Sequence, residues 1–165
     1  MIFVSVGIER FPFDRLVRAV DQAAGQLEGE PIFIQLGCGT YLPTRCAWTR
    51  FLPYQELVTQ IEQARVVVSH AGVGSLLLCA RCGKVPVVLP RRKRFHEHVD
   101  DHQLEWAAHM ARLGYLLLAE HPEEIVALIV DYGERRAALP GCSPAQASLA
   151  DFLAASLAAD GAQTV

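Results

Sequence analysis

Short apolar runs alternate along the chain with segments whose apolar residues recur at helical spacing. The runs predict strands over 2–6, 31–36, 65–69, 85–89 and 115–119, and a further short strand over 48–52. The helical spacing predicts helices over 13–27, 54–63, 97–112 and 122–132, with one more ending near residue 82. This alternation is typical of a parallel sheet flanked by helices. We therefore predict an α/β protein in which residues 1–132 form a Rossmann-like domain with an open parallel sheet.

The C-terminal part of the chain departs from that alternation. Residues 133–142 have the composition of a linker, and Ser143 and Pro144 begin a predicted helix over about 145–158, followed by a tail. An apolar stripe runs along this extra helix through Leu149, Phe152, Leu153 and Leu157. The stripe either packs on its own domain or docks on a partner. Residues 143–165 are therefore the candidate partner-docking element.

Composition narrows the class of protein. The 165 residues suffice for one domain, and 52% apolar with 20% charged residues indicates a globular chain. A net charge of −3 argues against a general nucleic-acid binder, which carries net positive charge. No apolar run reaches the roughly 18–20 residues of a membrane span, and the start resembles a strand rather than a signal peptide. We therefore expect a cytoplasmic protein with no direct membrane span.

The cysteines indicate a reducing compartment. Their number is five, which is odd, and free thiols are the expected state. Cys79 and Cys82 have the spacing of redox motifs, in which the helix dipole lowers the pKa of a thiol at a helix N-terminus. Here the pair falls inside a predicted helix, which disfavours redox chemistry.

A glycine-containing loop follows the strand over 65–69. It reads Ser-His-Ala-Gly-Val-Gly-Ser from Ser69 to Ser75 and leads directly into a helix. Glycines let a backbone approach an anion, and a helix N-terminus offers free N–H groups. Ser75 is placed either to cap the helix or to touch a phosphate, and His70 to donate to a diphosphate. The loop therefore predicts an anion site, against the alternative of a plain capped turn.

A second polar segment, residues 90–103, follows the strand over 85–89. It carries four basic residues, three histidines and several carboxylates, a composition that suits a negatively charged ligand. The alternative is a solvated loop and helix start. A third interpretation is a metal-dependent hydrolase built on His96, His98 and His102, with Glu97 or Asp101 as a further ligand. Here Asp101 stands where the usual ligand string of such hydrolases has its third histidine.

Two further turns follow the first two strands. Gly7 ends the first strand, and Gln35 and Gly37 end the second. Because ligands bind beyond the carboxyl ends of parallel strands, these residues are candidates for the mouth of the same site. Simple turn chemistry explains each of them equally well.

With these motifs the chain resembles the donor-binding C-terminal domain of family 28 glycosyltransferases, one half of a GT-B fold. More narrowly it is similar to the small catalytic subunits of split bacterial exopolysaccharide glycosyltransferases, and to the small subunit of the eukaryotic enzyme that adds the second N-acetylglucosamine to dolichol diphosphate. The resemblance extends over about residues 2–119. It is carried by Ile2–Gly7, Phe13–Val17, Ile34–Gly37, Val68–Ser75, Gly83–Lys84, Val88–Arg91 and Glu97–Gln103.

The resemblance implies a UDP-sugar donor as substrate, with no metal and no cofactor. Gly72, Gly74 and Ser75 would hold the diphosphate, with His70 beside it. Arg91 would offset the charge of the leaving group. The sugar hydroxyls would meet a set at the start of the helix over 97–112, namely Asp101, His102 and Gln103.

The sequence departs from the family at one position. Many relatives bind the ribose with a glutamate in the helix after the glycine loop, and Leu78 stands at that position here. The general base often comes from the acceptor half, which this chain lacks. Glu97 and His98 are the candidate bases within the chain.

The resemblance also implies partners. We expect sugar transfer to a polyprenyl-diphosphate-linked acceptor, supported by a membrane-anchored, acceptor-binding subunit that recruits this chain to the cytoplasmic face of the inner membrane. Two functions compete with this interpretation besides the metal-dependent hydrolase: a nucleotide- or dinucleotide-binding module without transferase activity, and a regulatory subunit that has lost catalysis.

Overall fold

Apolar, largely β-branched segments build the sheet at the centre of this protein. The computed structural model describes residues 1–27 and 29–139. Within them six strands form one parallel sheet: β1 (Ile2–Ser5), β2 (Ile32–Gln35), β3 (Ala47–Thr49), β4 (Val66–Ser69), β5 (Val87–Val88) and β6 (Leu117–Leu118). Strand β1 is buried along its whole length, as expected for a parallel strand covered on both faces.

The strand order is β3-β2-β1-β4-β5-β6. The chain runs outward from β1 to β3 and then returns to place β4 on the other side of β1. Ile2 is therefore paired with both Ile32 and Val66. In sheets of this order, ligands bind beyond the carboxyl ends of the strands where the direction of winding reverses. That point lies between β1 and β4.

Among the described residues, six α-helices cover the sheet: α1 (Asp14–Ala23), α2 (Tyr54–Gln63), α3 (Val73–Arg81), α4 (His102–Arg112), α5 (Glu124–Val130) and α6 (Tyr132–Ala137). Helices α1 and α5 pack on one face, where Leu16 and Ile125 join the cluster that contains Val4. Helices α2, α3 and α4 cover the opposite face, where Ile61 and Cys79 pack with Phe3. Apart from the exposed edge strand β3, both faces of the sheet are thus shielded from water, which confirms the predicted α/β class.

Several predicted elements differ from the structure: the short strand predicted over 48–52 is Ala47–Thr49, and the helix predicted over 122–132 ends at Val130 and is followed by α6. The helix predicted from residue 97 begins only at His102, because Glu97 turns inward and Asp101 accepts a hydrogen bond from the backbone N–H of Lys93 at 2.8 Å. The start of the predicted linker, 133–142, is helical up to Ala137. Helix α6 is anchored by Tyr132, whose hydroxyl donates to the carbonyl of Val85 at 2.8 Å.

The predicted C-terminal helix and docking element, 143–165, lies outside the described residues. Within 1–27 and 29–139, the helices are all too short or too polar to cross a bilayer.

Candidate functional site

An open groove of about 450 Å³ lies at the carboxyl ends of β1, β2 and β4. Six residues predicted for the site line it, namely Gly7, Gln35, His70, Gly72, Gly74 and Ser75. The three strand ends and the first turn of α3 meet at this point, so residues far apart in sequence share one surface. A larger groove, about 720 Å³, lies between α1 and α5, away from the strand ends and from every motif discussed above.

The imidazole ring of His70 is held between two glycines. A Cβ on Gly72 would overlap Nε2 of the ring, and a Cβ on Gly7 would lie 2.6 Å from Cε1. Gly7 also has φ of +78°, a conformation that other residues rarely adopt. The glycines are therefore required because the ring occupies the space that side chains at 7 and 72 would need.

His70 is a neutral group at physiological pH. Burial, and to a smaller extent the positive charge of Arg91, lower the pKa of this histidine to about 3, against the opposing effect of a hydrogen bond to the backbone of Ser5. Ser69 Oγ lies 3.4 Å from Nδ1 of the ring and donates to the Ser5 carbonyl at 3.0 Å. His70 therefore faces the groove as an uncharged hydrogen-bonding group rather than as a cation.

The N-terminus of α3 points its unpaired N–H groups at the groove. Gly72 is the N-cap, and no side chain of the described residues caps it. Ser75 lies in the first turn of the helix instead of capping it, so the capping alternative for this residue is wrong. A nine-residue helix with an uncapped start presents partial positive charge to an anion at this edge.

The two residues predicted after β2 have different surroundings. Gln35 is buried, and its Oε1 accepts a hydrogen bond from Ser5 Oγ at 2.8 Å across neighbouring strands. Gly37 packs behind the groove instead of lining it: with φ of +55°, its missing Cβ would lie 2.6 Å from the carbonyl oxygen of Gly7. Gly37 thus supports the turn at Gly7 from behind.

Arg91, which was expected to offset the charge of the leaving group, is fully buried. Its guanidinium donates to backbone carbonyls of Val6 at 2.7 Å, Phe11 at 2.9 Å and Glu97 at 3.0 Å. It also lies over the Phe13 ring, 4.7 Å from the centroid. Arg91 therefore ties the loop after β1 to the loop after β5, and it acts on the groove through its charge.

Glu97 is not available as a general base. Only 3% of the residue is exposed, and its carboxylate is taken up by Arg15 on α1 and by the backbone N–H of Arg92 at 2.9 Å. These contacts hold the loop between β5 and α4 against α1. A buried carboxylate bonded bidentately to an arginine is fixed in place by that geometry.

The other polar residues predicted after β5 lie beside the groove but do not line it. Gln103 is buried, with Oε1 3.4 Å from the backbone nitrogen of Arg91. Asp101 and His102 are exposed at the start of α4. The His98 ring lies with its centroid 6.2 Å from that of Phe11, in the loop after β1, so the two regions are neighbours.

The metal set considered from sequence is not assembled. His96 is exposed and takes a left-handed backbone conformation, Glu97 is bound to Arg15, and Asp101 is bound to the N–H of Lys93. In the described residues Asp100, not Glu97 or Asp101, lies with His98 and His102.

Sequence reasoning missed several residues of the groove. The remaining lining consists of Ser5, Ile8, Glu9, Tyr54, Leu57, Val73 and Leu78. A signal for Ser5 was present, because Ser5, Gln35 and Ser69 are polar residues that end otherwise apolar, register-matched strands. Tyr54 and Leu57 belong to the first turn of α2, and Leu57 also packs against the core cluster that contains Phe3.

Comparison with known proteins gives these features a family context. The profile of the glycosyltransferase family 28 C-terminal domain matches residues 1–158. The UDP-N-acetylglucosamine transferase subunit ALG13 of Yarrowia lipolytica (strain CLIB 122 / E 150) is 35% identical over 77 residues, which are 47% of this chain and 37% of that protein. The Homo sapiens protein of the same name is 32% identical over 125 residues, 70% of this chain and 10% of that protein. The chain thus spans well under half the length of these relatives.

Solved structures share the fold. The calicheamicin glycosyltransferase CalG4 superposes with a TM-score of 0.59 at 16% identity, covering 95% of this chain and 43% of that one. The kitacinnamycin glycosyltransferase gives a TM-score of 0.62 at 19% identity, covering 94% and 40%. Both have the GT-B fold, and the match confirms the prediction of a Rossmann-like half of that fold.

Proposed function

We propose that this chain, which belongs to the family of glycosyltransferase family 28 C-terminal domains, binds a UDP-sugar. In this proposal it is the catalytic subunit of a two-chain hexosyltransferase. The acceptor is a polyprenyl-diphosphate-linked saccharide in exopolysaccharide or lipid-linked glycan synthesis. Transfer joins the acceptor hydroxyl to the anomeric carbon, breaks the bond to the diphosphate oxygen and releases UDP. The step uses no cofactor.

The observation that carries this proposal is the pairing of a neutral His70 with the uncapped start of α3 in one groove. A diphosphate placed there receives hydrogen bonds from the N–H groups of the first helical turn and from the imidazole. These donors are fixed before the reaction, so they stabilise the charge that develops on departing UDP without reorganising. The buried charge of Arg91 adds to that stabilisation.

The apolar side of the groove suits a nucleoside. Tyr54, Leu57 and Leu78 line it opposite the polar strand ends, and they offer a surface on which a flat ring packs. Leu78 provides no carboxylate for the ribose, so the nucleoside is held by packing and by the diphosphate contacts.

Asp101, His102 and Gln103 are proposed to contact the sugar, since they begin α4 beside the groove. Of the two candidate bases in the chain, His98 keeps an accessible ring, with 13% of its side chain exposed. The acceptor half supplies the remaining groups. That half is a second, membrane-anchored chain in this proposal, which is supported by the similarity to proteins named as transferase subunits.

Calorimetry with UDP, UDP-sugars and NAD tests donor binding. We expect UDP and at least one UDP-sugar to bind the full chain, and His70→Ala and Ser75→Ala each to weaken binding at least tenfold. His121→Ala, an exposed histidine outside the groove, is the matched control. Binding of NAD without UDP would identify a dinucleotide module instead.

A transfer assay tests catalysis. The chain is co-expressed with its membrane-anchored partner and given UDP-sugar and a polyprenyl-diphosphate-linked acceptor. Wild type is expected to transfer sugar, and His70→Ala and Gln103→Ala to lose most of that activity. Donor binding without any transfer would instead indicate a regulatory subunit, in keeping with Leu78 at the position where a ribose-binding carboxylate would stand.

A further inference from the structure

Three side chains at the start of α4 converge on one point. They are His98, Asp100 and His102, and one ligand atom from each lies within 4.8 Å of the others. The two imidazole rings meet edge to face, with centroids 5.1 Å apart. The groups come from a stretch of five residues, so the local turn alone brings them together.

One carboxylate oxygen is the centre of this cluster. Oδ1 of Asp100 lies 3.2 Å from Nδ1 of His98 and also contacts Nδ1 of His102. The same oxygen accepts the backbone N–H of His102 at 3.3 Å. In the described part of the chain, Asp100 forms its ion pairs with these two histidines and with no lysine or arginine, despite the basic run over 91–94.

Two groups of Asp100, its backbone N–H and its Oδ1, face the Nδ1 atom of His98. The backbone N–H of Asp100 points at Nδ1 of His98 from 3.4 Å, which uses this nitrogen as an acceptor. In that tautomer the Nδ1 lone pair also faces the anionic Oδ1. In the other tautomer Nδ1–H donates to Oδ1, and a metal ion that replaces this proton would bind both atoms.

We propose that His98, Asp100 and His102 form a binding site for a zinc-like divalent transition-metal ion. Two imidazole nitrogens and one carboxylate oxygen, with water in the fourth position, form a ligand set that zinc accepts. Two such ligands about 2.0–2.1 Å from a zinc ion at the tetrahedral angle lie roughly 3.3 Å apart. The 3.2 Å between His98 Nδ1 and Asp100 Oδ1 matches that separation.

Only His102 must move to complete the site. Its contact with Asp100 is too close for a metal between them, and 65% of its side chain is exposed, so the ring is free to swing outward. The mixed nitrogen and oxygen set disfavours magnesium and calcium, which take oxygen ligands. The site shares His98 and His102 with the residues proposed above as base and as sugar contact, and it ties the turn over 97–101 to the first residue of α4.

Metal titration of the full chain tests the proposal. The chain is stripped with chelator and carries Cys38→Ser, since Cys38 is an exposed thiol that competes for metal. Calorimetry with Zn²⁺ is expected to give one site per chain, and Co²⁺ to give visible absorption of a four-coordinate site without thiolate. Asp100→Asn and His102→Asn should each weaken Zn²⁺ binding at least tenfold.

The matched control is His96→Asn, a neighbouring exposed histidine whose left-handed conformation asparagine tolerates. The His96→Asn chain should bind Zn²⁺ with the same affinity as the chain that keeps all of its histidines. Absence of stoichiometric binding, or equal losses in His96→Asn and His102→Asn, would overturn the proposal. Circular dichroism of each variant verifies that the fold is retained, and Zn²⁺ should raise the melting temperature only of chains with the intact cluster.

Discussion

The guanidinium of Arg15 and the carboxylate of Glu97 form a two-pronged ion pair across 82 residues of sequence. Nε of Arg15 donates to Oε1 and Nη2 donates to Oε2, each at 2.8 Å. Arg15 is on α1 and Glu97 precedes α4, so the pair joins the two faces of the sheet at its carboxyl edge. The same arginine donates to the carbonyl of Pro90 at 2.9 Å.

Glu97→Gln should therefore destabilise the protein. It leaves the Arg15 cation partly buried without its counter-charge, and loss of one partner of a buried pair costs about 3 kcal/mol. Arg15 keeps 17% of its side chain exposed, so solvent reduces that cost to about 2 kcal/mol. Urea unfolding measures the change, with the exposed Glu123→Gln as control. If Glu97→Gln left the free energy of unfolding unchanged but abolished sugar transfer, Glu97 would again be the candidate base.

Gly72→Ala should destabilise the chain and Gly74→Ala should not. A Cβ at 72 overlaps the His70 ring, whereas a Cβ at 74 meets nothing within 4 Å. Gly74 lies inside α3, where alanine gains up to about 1 kcal/mol of helix propensity. Thermal melts of the two variants separate the effects. His70→Ala should rescue part of the loss in Gly72→Ala, and additive losses in the double variant would contradict the clash.

His70 should make stability depend on pH in the acidic range. Its pKa in the folded chain is about 3, below the roughly 6.5 of an unfolded histidine. Between these values the unfolded chain binds the extra proton. This contribution to stability is therefore complete above pH 6.5 and is lost as the pH falls toward 3, at up to about 1.4 kcal/mol per pH unit.

Unfolding free energies measured from pH 7 to pH 4 check this slope. His70→Gln should flatten the profile relative to wild type, because glutamine does not titrate. His121→Gln, at an exposed site, should leave the profile as it is. Equal slopes in wild type and His70→Gln would show that folding does not lower the pKa of His70.

The sheet and the anion loop were predictable because their signals are local. Strand β4 is a run of valines, and α2 occupies the predicted range, 54–63. The glycine loop is recognisable from its composition, because a backbone that an anion or a ring approaches closely needs residues without side chains. The close packing of the loop around the His70 ring was not predictable, because Gly7, which encloses the ring from one side, follows a different strand.

Long-range polar contacts were beyond sequence reasoning. Asp21 sits on the buried side of α1, where a pattern of apolar spacing predicts no carboxylate. It accepts hydrogen bonds from Tyr41 at 2.7 Å and from the backbone of Arg45 at 2.8 Å, and so fixes the loop before β3. Glu97 and Arg91 are similar cases, because Glu97 binds Arg15 and Arg91 binds the carbonyl of Val6, both more than 80 residues away. The density of charge in the sequence suggested catalytic or ligand-binding roles, whereas in the structure these two side chains hold loops together.

The Cys79 and Cys82 pair should be chemically inert in the native chain. Burial, with a smaller contribution from the neighbouring Cys82, raises the pKa of the Cys79 thiol to about 12. Burial also raises the pKa of Cys82, so neither thiol forms the reactive thiolate that redox pairs need. In a Cys142→Ser background, a thiol reagent should modify exposed Cys38 within minutes and Cys79 only after unfolding in urea. Rapid native modification of Cys79, or a disulfide between Cys79 and Cys82 under mild oxidation, would contradict the buried position of Cys79 in α3.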